Sequence, residues 1–251
     1  MTLSFSRPFL LLLCVCSFAR GLTLPPEAEV QKKLADRLTG KEDYSERVAK
    51  RMGNRTIQVE GLIAMDGDIA LAQEILSDPK EFGRWLLPNI NTRPSGGEYL
   101  VKVLGLDLLS GTTNHLVTKL RFDLPLFQKD IECHMLVGTE RKEKWLQLNA
   151  NVESMQGTYI EHFHAVLQFF PREKGKLWVY AIGEVRFKHW ILYEALPDRL
   201  LTRETGERLQ IAIDNYLNEE NHRRSLKKKM PPVSATTPPK KKGGLPKESR
   251  P

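Results

Sequence analysis

The sequence predicts an α+β domain in which a curved antiparallel sheet of about seven strands wraps around one long C-terminal helix. Three observations predict it. The stretch Lys176–Phe187 (KLWVYAIGEVRF) has the β-branched and aromatic content of a strand. The segment ETGERLQIAIDNYL that follows places Thr205, Leu209, Ala212, Ile213 and Tyr216 at intervals of three and four, a single apolar stripe on a helix. Before both lies a succession of stretches with alternating apolar and polar residues. An amphipathic helix must cover its stripe, and a sheet with one apolar face supplies the cover. The space between them is where a ligand would sit.

The N-terminus comes first. Arg7 precedes an apolar run from Phe9 to Phe18, and Ser17 and Ala19 suit the −3 and −1 positions of a signal-peptidase site. The run is too short to span a bilayer permanently, so residues 1–19 are read as a signal peptide and the chain as secreted or periplasmic. Residues 20–55 form a polar pre-domain segment. Within it Val30, Leu34 and Leu38 share one face of a short helix that Gly40 ends, and the segment is expected to be loosely attached.

The domain is expected to span residues 56–222. Thr56–Met65 (TIQVEGLIAM) reads as its first strand. Asp66-Gly67-Asp68 turns the chain, and Asp68 can cap a short helix carrying Ile69, Ala72, Ile75 and Leu76. Pro79 opens a second short helix with Phe82, Trp85 and Leu86, which Pro88 stops. Six further strands follow, at 98–109, 113–124, 129–138, 144–152, 158–170 and 176–187. Turn signals such as Pro94-Ser-Gly-Gly97 and Gln156-Gly157 separate them. Short turns between long strands imply antiparallel meander pairing.

Charge sets the tail apart. The chain carries a net +7, yet ten Lys and Arg against the one acid Glu248 lie after residue 222, so that tail holds +9 and the remainder about −2. A basic character confined to residues 223–251 argues against nucleic acid as the partner of the fold. The tail is rich in Pro, Lys and Gly, is expected to be disordered, and suits an anionic membrane surface.

The opening strand IQVEGLIAM, then DIALAQEILSDPKEFGRWLLPNI, then the closing LPDRLLTRETGERLQIAIDNYL give the order strand, two short helices, six strands, long helix. In this the chain resembles the START/polyketide-cyclase superfamily (SRPBCC), whose layout is called helix-grip. The phrase after the first strand, with Asp78-Pro79, Phe82, Trp85 and Pro88, is similar to that family's, and the match covers about residues 56–222. The resemblance implies a deep hydrophobic cavity between sheet and helix, used mostly for lipids, sterols or other apolar molecules and in a minority of members for catalysis. The export signal and the basic tail depart from the family pattern.

Several side chains invite a chemical reading. His162 and His164 point to one face of a strand, but their neighbours put that face outside, and no third residue has a telling metal-ligand spacing. Cys133 has no partner for an intramolecular disulfide after the signal peptide and reads as a small buried hydrophobe. Glu161 alternates with Phe163 and Leu167 and is expected to point inward. Glu184 and Arg186 share a face with Trp178, Tyr180 and Ile182, so an inward acid–base set could orient a polar head group. The expected ligand-lining residues are Met135, Leu148, Glu161, Phe163, Tyr180, Glu184, Arg186, Leu209 and Ile213. No catalytic, metal or cofactor motif stands out. Two function classes remain. The favoured one is a non-catalytic carrier of a lipid or other apolar molecule. The second is a cavity enzyme of cyclase, dehydratase or hydrolase type using Glu161, Glu184 or Arg186.

Overall fold

The computed structural model describes residues 22–109, 114–124, 127–155, 160–195 and 198–229. The signal-peptide segment and residues 230–251 of the basic tail lie outside these residues.

In chain order the elements are α1 (Glu27–Leu38), β1 (Tyr44–Arg51), β2 (Thr56–Asp66), α2 (Ile69–Leu76), α3 (Phe82–Trp85, entered through a 3-10 turn at Pro79–Glu81), β3 (Val101–Leu108) and β4 (His115–Leu124). They continue with β5 (Phe127–Arg141), β6 (Leu146–Met155), β7 (Ile160–Arg172), β8 (Lys176–Phe187), α4 (Trp190–Ala195) and α5 (Asp198–Lys229). All strands join one antiparallel sheet in the order β1-β2-β8-β7-β6-β5-β4-β3. Every consecutive pair from β3 to β8 is a meander neighbour, and β2 closes against β8. The curved sheet around α5 is the helix-grip arrangement.

The sheet has eight strands rather than about seven. The extra one is β1, from the segment expected to be loosely attached. It is polar, and a strand at a sheet edge with only one partner needs no apolar alternation to pair; Tyr44 to Arg51 nevertheless run in unbroken register against Ala64 to Ile57. The two short helices therefore follow the second strand, not the first. The helix expected from Val30, Leu34 and Leu38 forms, and those side chains are almost fully buried. They pack with Leu62, Ala64, Trp145, Val166, Phe170, Tyr180 and Ile182 on the sheet face that points away from α5. Both sides of the central sheet are thus covered, α1 on the outer face and α5 on the inner one.

Local chemistry fixes the connections. The Asp68 carboxylate accepts from the backbone N–H groups of Ala70 and Leu71 at 2.9 Å, satisfying two orphan donors of α2. A side chain at Gly67 would place its Cβ 2.5 Å from Cδ1 of the buried Leu177, so any larger residue in the turn into α2 would force Leu177 to move. The inner-face core joins Ile63 and Met65 of β2, Leu177 and Val179 of β8, Phe169 of β7, Phe82 and Trp85 of α3, and Tyr216 of α5. Trp85 meets Phe82 and Tyr216 edge-on, with ring centroids 5.4 and 6.4 Å away.

Helix α5 runs seven residues into what was expected to be disordered tail. The reason is ionic. Arg223 Nε donates to Glu219 at 2.6 Å, and Lys227 Nζ lies 2.6 Å from Glu74 of α2. Glu219 is buried and also accepts from Arg84 Nη2 of α3 at 2.8 Å. These carboxylates tie α5 to α2 and α3. Burial alone pushes Glu219 up, but the bonds from Arg84 and Arg223 outweigh it and hold its pKa below 4.5. The bond from Lys227, reinforced by Arg223, does the same for Glu74. A carboxyl group whose pKa is lower folded than unfolded stabilises fully above the unfolded value and ceases to do so as pH falls through the folded one. The melting temperature is therefore expected to fall as pH drops below about 4.5, and Glu219→Gln is expected to flatten that fall. Melting curves followed by circular dichroism from neutral pH downward measure it; an unchanged slope in the variant would remove Glu219 from the explanation.

Candidate ligand cavity

Between the inner face of the sheet and α5 lie three adjoining cavities of about 600, 220 and 320 Å³. Leu209 lines all three. The largest is walled by Leu86, Leu87 and Ile90 after α3, Val103 and Leu106 of β3, Leu116 of β4, Met135 and Val137 of β5, Leu148 and Ala150 of β6, and Phe163 of β7. The second runs deeper, past Trp85, Leu167, Phe169 and Ile213 to Tyr216. The third extends along β2, β7 and β8 over Val59, Gly61, Ala165 and Ala181. Gly61, Ala165, Ala181 and Gly183 are small and leave room along this stretch, and Ile57 of its wall packs with Ile160, Phe187 and Tyr193.

The apolar part of the expected lining set is brought together. Met135, Leu148, Phe163, Leu209 and Ile213 all face these cavities. The polar part is not. Trp178, Tyr180, Ile182, Glu184 and Arg186 do share one face of β8, but it is the outer face. The inward set is Leu177, Val179, Ala181, Gly183 and Val185. Tyr180 is buried beneath α1 rather than in a cavity. Glu184 borders the third cavity, yet its carboxylate accepts from Gln58 Nε2 at 2.9 Å across the β2–β8 pair. Arg186 Nε lies 3.4 Å from Glu161, and Arg55 Nη2 lies 3.3 Å from the same carboxylate, with all three side chains over a third exposed. Glu161 departs from the alternation because the β7–β8 register shifts between Ile160 and His162. The extra residue at that bulge turns its side chain outward.

Other side chains settle similarly. His164 is on the outer face, where its Nδ1 accepts from the backbone N–H of Leu22 at 3.4 Å. Cys133 is buried, and burial pushes its thiol up to about 11. The thiolate is thus scarce at neutral pH and the residue is inert core.

Because Arg186 lines none of the three cavities and the Glu184 carboxylate, at the border of the third, is held by Gln58, Arg186→Ala and Glu184→Gln are expected to leave the Kd for an apolar fluorophore within roughly twofold of the parent, the scale of surface substitutions. A loss beyond about tenfold, 1.4 kcal/mol, would return these residues to the binding site.

The polar groups that do reach the largest cavity are Thr118, Glu204, Thr205 and Arg208. Arg208 is half-buried. Its guanidinium stacks 4.2 Å from the centre of the Tyr99 ring, and its Nε and Nη2 have no hydrogen-bond partner among the described residues. Arg93, also stacked on Tyr99, donates from Nε to Glu207 at 2.9 Å and from Nη1 to the Glu98 carbonyl at 2.8 Å. Glu204 accepts from the Leu100 N–H at 3.2 Å. The stripe Thr205, Leu209, Ala212 carried the signal for Arg208: it stands three after Thr205 and four before Ala212, a cation inside an apolar row.

No protein-family model matches the chain, and no curated protein sequence does so significantly. Solved structures of similar fold do. A START superfamily protein from Mycobacterium smegmatis is 13% identical, with the match covering 67% of this chain and 98% of that one at a TM-score of 0.41. Human STARD10 is 10% identical over 85% of this chain and 92% of that one, TM-score 0.43. Zhui aromatase/cyclase from a Streptomyces species is 11% identical over 67% and 97%, TM-score 0.43. These are likenesses of fold, of the START/SRPBCC type, and they carry nothing about activity. The fold rests on the sheet order and the gripped helix themselves.

Proposed function

We propose that this chain binds and carries a lipid or another elongated hydrophobic molecule in the space between its sheet and α5, and that it does so after export. The observation that supports the reading is the cavity system itself. Some 600 Å³ of space walled mainly by apolar side chains adjoins two further apolar chambers with which it shares Leu209. Such volume is large enough for a chain or ring system and too apolar to favour a hydrophilic substrate. A core built for stability alone would fill it, because unfilled apolar volume forfeits packing. The catalytic reading is weakened, since Glu161 and Arg186 pair with each other away from the cavities and the Glu184 carboxylate, at the border of the third, is engaged by Gln58. Export is supported by the apolar run Phe9–Phe18 with Ser17 and Ala19 behind it. The basic tail would then hold the carrier near anionic membrane surfaces.

Native mass spectrometry with lipid extraction, on the mature protein purified from its own host, tests the reading. A stoichiometric apolar adduct is expected. A clean apo mass together with no binding of an added apolar fluorophore would overturn it.

A further inference from the structure

Among the described residues, Arg208 is the one cation lining the largest of the three chambers between the sheet and α5, and the neighbouring ionic contacts pass it by. Glu207 is taken by Arg93 Nε and by the Ser95 hydroxyl. Glu204 is turned to the Leu100 N–H and lies 3.8 Å from Arg93 Nη1. Tyr99 offers Arg208 only its ring face. The two unpartnered nitrogens, Nε and Nη2, form one edge of the guanidinium plane, the edge whose parallel N–H bonds match two oxygens of a carboxylate or phosphate. A buried polar group without a partner is costly. Both nitrogens are shielded from solvent while Arg208 lines an apolar chamber, and a ligand head group that reaches this edge would remove the cost.

We propose that the cavity selects an anionic amphiphile, a molecule with an apolar chain and a terminal carboxylate or phosphate, and that Arg208 Nε and Nη2 bind the anionic head as a fork while the chain extends past Leu209 toward Tyr216. The proposal rests on the carrier reading above and makes it specific. The Tyr99 ring holds the guanidinium from one side, so the fork loses little freedom when it binds. Burial also disfavours the free cation: it pulls the Arg208 pKa down, with the Glu204 carboxylate pushing back. An incoming anion restores the compensation that the missing partners leave open. Helix α5 supplies both ends of the site, Arg208 for the head and Leu209, Ala212 and Ile213 for the chain.

Titration calorimetry on the full chain, with dodecanoate, dodecyl phosphate, dodecanol and inorganic phosphate as probes, tests this. The two anionic amphiphiles are expected to bind about 10- to 100-fold more tightly than dodecanol, the range of a charge-assisted bond. Arg208→Gln is expected to abolish that preference, bringing the two anionic amphiphiles to the affinity of dodecanol for the same variant. Equal affinity for dodecanol and dodecanoate in the parent would overturn the proposal while leaving the carrier reading in place. Inorganic phosphate binding as tightly as dodecyl phosphate would assign the fork to a free anion and overturn it too. If no amphiphile binds, the carrier reading falls and the proposal with it. Should Arg208→Gln fail to fold, the Nε–H resonance of Arg208 in the parent protein decides. A shift with dodecanoate and none with dodecanol upholds the fork, and no shift with either anionic amphiphile overturns it.

Discussion

Arg93→Ala is expected to destabilise the protein by about 3 kcal/mol, a loss of roughly 6–12 °C in melting temperature for a domain of this size. The Arg93 side chain is only 6% exposed and reaches three groups: Glu207 at 2.9 Å, the Glu98 carbonyl at 2.8 Å and Glu204 at 3.8 Å. Removing it strands two carboxylates whose side chains are 14% and 12% exposed. Stranding a buried charge costs more than the intact pair contributes. The figure stays at the lower end because Glu207 keeps the Ser95 hydroxyl and Glu204 keeps the Leu100 N–H. The same contacts bind the N-terminal half of α5 to the 93–100 loop, so the lost stability is expected to appear as looser helix packing over the cavity. The double variant Arg93→Ala/Glu207→Ala should recover part of the loss, since it removes one of the stranded charges. Thermal melts of the parent, the two single variants and the double variant measure it. Equal melting temperatures for parent and Arg93→Ala would show the cluster to be solvated.

Much of this architecture is legible in the sequence, and the illegible parts share a cause. The long meander announces itself because each strand alternates and each turn carries Gly, Pro or Ser. The α5 stripe is legible because one face must be apolar to lie on a sheet. What escapes is β1. YSERVAKR has no apolar face of its own, and its place in the sheet comes from backbone pairing with β2, which leaves no mark on composition. The extension of α5 through 223–229 escapes similarly, since charged residues there read as solvated tail until Glu74 and Glu219 are found opposite them.

The site divides along the same line. Positions whose role follows from alternation, such as Met135, Leu148 and Phe163, can be assigned to the correct face. The face itself cannot be assigned when both sides of a strand are covered. Tyr180 and Ile182 are as buried under α1 as Val179 is under α5, so burial-seeking residues mark both sides of β8 and the polar pair Glu184 and Arg186 goes to the wrong one. Glu161 fails for a different reason, a one-residue bulge that reverses the alternation locally. A sequence pattern reports periodicity, and a bulge is a break in period that no residue type requires.

Ala212→Trp is expected to block the cavity without unfolding the protein. Ala212 lies on α5 between the largest chamber and the deep one that runs to Tyr216, and lines both, with Leu86 and Leu148 opposite. An indole there would enter space the protein leaves open, so it would meet few existing side chains. Overpacking of a filled core costs about 1–3 kcal/mol; here the apolar burial of the ring offsets it, and the melting temperature should hold or rise. Binding should not hold. Excluding a ligand from about 100 Å² of apolar wall costs about 2.5 kcal/mol, roughly 70-fold in Kd. The loss should extend to neutral and anionic amphiphiles alike, whereas Arg208→Gln should weaken the anionic ones far more than the neutral one. That difference separates a blocked chamber from a lost head-group contact. Competition against an apolar fluorophore and a thermal melt read both quantities on the same sample. Unchanged affinity in a folded Ala212→Trp variant would mean that the ligand does not occupy the junction of the two chambers, and would move the binding site toward the third chamber along β2 and β8.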